Sequence, residues 1–171
     1  ATIQLGADAD PSKLPPLLDV LTLPLVFFVM VGMGEEFAWR GFALPRLASR
    51  FGLLGGALLL GALHVPWHAP LVGTEFTAAE FVPLGIAIVA FSVFAARLWA
   101  SAEHSMLIPA LAHVAVNTAG GPTLFQMFGA ADRLTLYWAW ALLWVLASAL
   151  AWLLAAPASN TALSEGALST A

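Results

Sequence analysis

The sequence predicts an all-α membrane protein, a bundle of about five transmembrane or half-buried helices, and three observations carry that prediction. Hydrophobic residues make up 61% of the 171-residue chain and charged ones only 9%, against roughly 25% charged in an ordinary soluble domain. Such a chain cannot coat a water-soluble globule. The apolar residues fall in long runs, several near the length of about 20 residues that carries a helix across a hydrocarbon layer about 30 Å thick. The ionisable side chains deeper inside those runs, away from Asp19 at the start of the first, are Glu, Arg and His at helical spacing.

Residues 1–16 are polar, with Asp8, Asp10 and Lys13 and no apolar core, so they do not read as a signal peptide. The chain begins at Ala1 rather than Met, which leads us to expect a fragment or processed form. The first apolar run, 17–44, is longer than a straight crossing needs. Only Asp19 near its start and Glu35, Glu36 and Arg40 near its end interrupt it. Runs 53–71, 81–99 and 134–156 can each cross once. Between the last two lies 106–119, too short to span unless neighbouring helices shelter it, and therefore expected as a half-buried helix. The connections 46–52, 73–80, 100–105 and 120–133 are rich in Gly, Pro or charge, as loops are. Trp67, Trp99 and Trp138 fall near predicted helix ends, where an indole can sit at headgroup level. The tail 157–171 is small and polar and reads as disordered. The chain thus divides into a polar segment 1–16, a helical core 17–156 and a tail 157–171.

Composition also excludes several functions. There is no cysteine, so disulfides, thiol nucleophiles and cysteine-based zinc sites are ruled out. The six basic residues, Lys13, Arg40, Arg46, Arg50, Arg97 and Arg133, are scattered singly, so no nucleic-acid partner is expected. Membrane lipids are. Arg46, Arg50 and Arg97 share one side of the bundle, and Lys13 and Arg133 the other. The positive-inside rule places the first set in the cytoplasm by a margin of one residue. No internal repeat is visible, which counts against a transporter built from inverted halves.

Charged groups at mid-membrane cost at least about 2.5 to 3.5 kcal/mol each, so they persist where they pair or do chemistry. The first run carries three in Gly34-Glu35-Glu36-Phe37-Ala38-Trp39-Arg40-Gly41. Glu36 and Arg40 are four apart, on one face and able to pair. Glu35 is turned about 100° away, so the same arginine cannot hold both, and one carboxylate is left for another task. The second run contributes His64, and the fourth His113 and Asn117, one turn apart. At about 1.5 Å per residue, Glu35, His64 and His113 lie roughly 13, 16 and 10 Å from the same membrane face. Three helices therefore deliver polar groups to nearly one depth. Glu36 with Arg40 is read as a structural ion pair. His68, beside Pro66 and Pro70, is an auxiliary candidate, and His104, after Glu103, is read as a solvated or capping residue.

These residues resemble the CAAX prenyl protease and bacteriocin-processing (CPBP, Abi) family of intramembrane glutamic endopeptidases. Its first motif, two glutamates with an arginine four residues after the second, reads as Glu35, Glu36 and Arg40. The second, an aromatic with a histidine four residues on, reads as Leu60 and His64, with leucine in the packing position. The third reads as His113 and Asn117. The resemblance covers about 17–156 and implies peptide-bond hydrolysis, with Glu35 and His64 activating water and His113 and Asn117 supporting the oxyanion. It implies no cofactor, an integral location in a prokaryotic plasma membrane, an active site opening toward the cytoplasm, and a peptide or protein substrate such as a prenylated carboxyl terminus or a leader peptide. The rival mechanism is a zinc site of Glu35, His64 and His113 with an open position, although no HExxH helix is present. The rival functions are a non-catalytic binding or self-immunity protein of the same fold and a small proton relay.

Overall fold

A computed structural model describes residues 9–154 of the chain; the expected tail 157–171 lies outside them. The fold is all-α. Helix α1 (Leu17–Phe27) runs on without a loop through two wide π-helical stretches, Phe28–Glu35 and Phe37–Ala43, into α2 (Leu44–Trp67). Then come α3 (Ala78–Ser101), α4 (Leu107–Ala119) and α5 (Ala130–Leu154). Three stretches among the described residues are long and apolar enough to cross a membrane: Leu17–Leu71, Ala78–Ser101 and Ala130–Leu154. Their outward faces are leucine-rich, with Leu17, Leu25 and Leu153 at 73%, 70% and 82% exposure. Such a surface suits acyl chains and not water. The chain is an integral membrane protein.

The expected loop at 46–52 shrinks to one residue. Helix continues through Arg50 and Phe51, and only Gly52 breaks it, at φ 72° and ψ 165°. A backbone at that φ suits glycine and few other residues. There the chain folds back: a Cβ on Gly56 would sit 2.7 Å from the Ala48 nitrogen, whereas eight residues of straight helix would separate the two by about 12 Å. The stretch Leu17–Leu71 is thus two passes. Two further boundaries move for local reasons. Helix α3 starts at Ala78 because Thr77 and Glu80 form a capping box, satisfying two otherwise orphaned N–H groups. The expected loop 120–133 is mostly helical, Gly120–Leu124 and Phe125–Met127 leading to α5 at Ala130, since Phe125 is buried and stacks on Tyr137 at 4.4 Å. Trp99 is buried in the core at 5% exposure and is not at a headgroup surface. The ring of His104 packs on it at 4.2 Å. The 13-residue α4 is half-buried as expected, with Pro109, Ala110, His113 and Val114 packed inward and Leu107, Ile108 and Leu111 exposed.

Helix α3 is the central staff, with 61% of its most apolar window buried against 11% and 17% for the other two spans. Small residues let its neighbours approach: Ala57 and Gly61 on α2, and Ala87, Ala90, Ala95 and Ala96 on α3 are all buried. Without a hydrophobic drive between helices in lipid, such close packing and interhelical hydrogen bonds hold a bundle together. The hydroxyl of Ser92 donates to the Ala57 carbonyl at 3.0 Å and that of Ser148 to the Ala90 carbonyl at 2.6 Å, tying α2 and α5 to α3. Gly61 is the tightest point between α2 and α3, because a Cβ there would lie 2.8 Å from the Val89 Cα. Gly61→Ala is therefore expected to destabilise the bundle by about 1–3 kcal/mol through overpacking. Thermal unfolding in detergent, followed by tryptophan fluorescence, measures it.

Candidate active site

The π-helical winding of 28–43 sets the site. Glu35 closes the first wide stretch and Glu36 joins it to the second, so the adjacent carboxylates leave the helix in different directions. Wide turns of this kind recur at functional sites. Helix α4 packs against this stretch at Gly32, where a Cβ would lie 3.4 Å from Val114 Cγ2, and this packing brings His113 beside Glu36.

The two glutamates have different partners. Glu35 Oε2 lies 3.1 Å from His64 Nε2, with the Glu35 side chain 22% exposed. Glu36 is fully buried, and its Oε1 accepts from both Arg40 Nη1 and His113 Nδ1, each at 2.6 Å. An ionised carboxylate only accepts, so Nδ1 of His113 must carry hydrogen. In a neutral ring Nε2 is then an acceptor, and it donates only when the ring holds its second proton. Arg40, also fully buried, sits 5.6 Å from the centre of the Phe91 ring, which rests 5.1 Å from the His113 ring. His64 is flanked by Trp39 at 4.7 Å and His68 at 5.0 Å between ring centres. His68 Nδ1 is 3.3 Å from the His64 carbonyl oxygen, a contact that assigns the proton to Nδ1 and leaves Nε2 as the accepting nitrogen.

Glu35, His64, His68, His113 and Asn117 all line one cavity of about 400 Å³, while Glu36 and Arg40 stand behind its wall. Among the described residues no group of three or more His, Asp or Glu is arranged to hold a metal ion: Glu35 turns to His64, and His113 turns to Glu36. Sequence reasoning missed the aromatic walls, Phe91, Phe125, Tyr137, Trp140 and Trp144. In a chain this rich in tryptophan and phenylalanine, no spacing marks a cavity face. It also missed Glu75 at the rim.

The cavity occupies one half of the bundle. Leu71, Glu75, Phe76, Gly120 and Tyr137 line it, all from the end at residues 72–77 and away from Arg46, Arg50 and Arg97. These lining residues lie toward the end opposite the arginines that the positive-inside expectation puts in the cytoplasm.

With this geometry in view, comparison with known proteins places the chain. Residues 17–119 match the family model described as type II CAAX prenyl endopeptidase Rce1-like. The chain belongs to that family. The match spans all three motifs and stops at the end of α4. CAAX prenyl protease 2 of Methanococcus maripaludis is 35% identical over 51 residues, 29% of this chain and 19% of that protein. The alignment thus spans about a fifth of that relative's length. No solved structure matches the chain significantly.

Proposed function

We propose that this chain is an intramembrane endopeptidase in which Glu35 and His64 activate a water for attack on a peptide carbonyl. The observation that carries the reading is the Glu35–His64 contact of 3.1 Å at the wall of a cavity among apolar helices. Family membership and the name of the Methanococcus relative support it. A carboxylate in hydrogen-bond reach of a water is a general base, and a histidine sharing that water orients it. Proton transfer from water to Glu35 leaves a hydroxide that bonds to the carbonyl carbon; the proton then passes to the leaving amine as the C–N bond breaks. The oxyanion takes N–H from Asn117, whose amide lies at the cavity wall with no hydrogen bond to another described residue, and from Nε2 of His113 when that ring is protonated. Glu36 and Arg40 hold His113 and fix the helix. The chemistry needs no metal.

The substrate class we propose is a peptide or protein segment delivered at the membrane, prenylated carboxyl termini and leader peptides among them. Asn117→Ala is expected to lower kcat by about 10²-fold, the usual loss for one oxyanion donor, with KM little changed. The parent activity should persist in EDTA; loss on chelation with recovery on adding zinc would reinstate the metal mechanism. A cleavage assay in liposomes against prenylated and leader-type peptides measures both.

For location we propose a prokaryotic plasma membrane with the cavity mouth in the cytoplasm, which puts Lys13 and Arg133 inside and reverses the orientation taken from the arginine count. The chain has no cysteine, so single substitutions report cleanly. Thr74→Cys at the mouth should resist an impermeant maleimide on intact cells and Ser49→Cys at the other end should react; the opposite pattern would restore the arginine orientation.

A further inference from the structure

We infer that Trp39 is a positioning residue, holding the His64 ring at the angle that keeps its Nε2 on Glu35. The inference rests on the peptidase reading of the cavity and extends it to a group behind the cavity wall. Among the described residues the His64 ring makes one hydrogen bond, the 3.1 Å contact to Glu35. One bond at one corner does not fix a planar ring, because rotation about the Cβ–Cγ bond of histidine is only loosely restrained. Ring contacts supply the rest. The indole of Trp39 lies 4.7 Å from the imidazole at an interplanar angle of 38°, and the centres of the His68 and His113 rings stand 5.0 and 6.2 Å away. His68 and His113 line the cavity that the peptide enters, whereas Trp39 does not. The indole is therefore a backstop that the substrate leaves in place.

Trp39 is itself anchored. It meets Trp67 edge-on at 6.4 Å and 85°, one turn beyond His64 on α2, and it packs on the core cluster that includes Leu44, Ala57 and Leu60. The next residue in the chain is Arg40, fixed by its buried pair with Glu36. That pair thus sets the backbone from which the indole projects. A π face against an imidazole has a second consequence: it attracts the ring more strongly once the ring carries positive charge, the state that His64 approaches as it shares the proton of the attacking water. A contact that strengthens on the way to the transition state acts on kcat, and substrate binding does not depend on it.

The test compares Trp39→Met, which fills much of the space with a flexible chain and no flat face, with Trp39→Phe, which keeps the face. Trp39→Met should lower kcat by about 10²-fold, the cost of misplacing a catalytic group by about 1 Å, with KM unchanged. Trp39→Phe should hold kcat within about fivefold of the parent, since the smaller ring still stacks. A readout independent of turnover comes from the full chain in detergent with carbon-13 at histidine Cε1, which gives one signal for each of the four histidines. The His64 signal is the one lost in His64→Gln. It should move downfield in Trp39→Met, where the indole ring current is gone, and by less in Trp39→Phe. Trp39→Leu takes the place of Trp39→Met if that protein does not fold. If the parent chain cuts no peptide but the His64 signal still follows residue 39, the peptidase reading fails and the hold of Trp39 on His64 stands. An unchanged kcat, a loss carried by KM, equal losses in the two variants, or a His64 signal indifferent to residue 39 overturns the inference.

Discussion

Replacing Glu35 with glutamine is expected to lower kcat by about a thousandfold, within the range that a positioned general base contributes, while peptide affinity changes by less than about threefold. Glutamine has the shape of glutamate and can keep a hydrogen bond to His64 Nε2, which lies 3.1 Å away, so the cavity retains its form. What disappears is the group that takes the proton from water. A loss confined to kcat marks an interaction made in the transition state rather than in substrate binding. The variant also separates the proposal from a non-catalytic binding or self-immunity role, which needs the cavity but no base. There the Glu35→Gln protein would keep its phenotype. Steady-state kinetics beside direct binding of the same peptide decides between them.

Arg40→Met is expected to be the most damaging single change to the fold, at about 3–5 kcal/mol, the usual result of removing one partner from a buried ion pair. Glu36 and Arg40 are both fully buried, so the carboxylate left behind would keep only His113 and could not reach water. Much of that loss reflects the stranded charge, so the double variant Glu36→Gln with Arg40→Met should recover a substantial part of the stability. The Arg40 Nε and Nη2 groups have no hydrogen-bond partner among the described residues. Thermal midpoints of the three proteins, read from the fluorescence of the seven tryptophans, measure this. Activity should not return with stability, because an uncharged amide in place of the Glu36 carboxylate is a weaker acceptor for His113 and leaves the ring less well held.

How much of this was legible in the sequence follows from which interactions are local. The helical class and the separation of Glu35 from Glu36 are set by apolar run length and helix periodicity, and both could be read directly. The pairing of Glu36 with Arg40 is likewise an i, i+4 relation. The second hydrogen bond to Glu36, from His113 across 77 residues, depends on α4 entering the bundle beside Gly32, which no local pattern specifies. The π-helical winding of 28–43 was invisible because α- and π-helical turns share the same apolar composition. Loop positions erred where one glycine at positive φ did the work assigned to seven residues at 46–52, and where Phe125 found an aromatic partner that held 120–127 helical. The aromatic walls and Glu75 were missed because a cavity is a property of several elements together. The capping box at Thr77 and Glu80 was readable and went unread.

The most direct test is cleavage by the purified chain in liposomes with EDTA present, followed by mass spectrometry of a membrane-delivered peptide. The account predicts two new termini at one bond, produced by the parent chain and reduced about a thousandfold in Glu35→Gln. Equal scission by the two proteins, or none above background with the parent chain correctly folded, would contradict it.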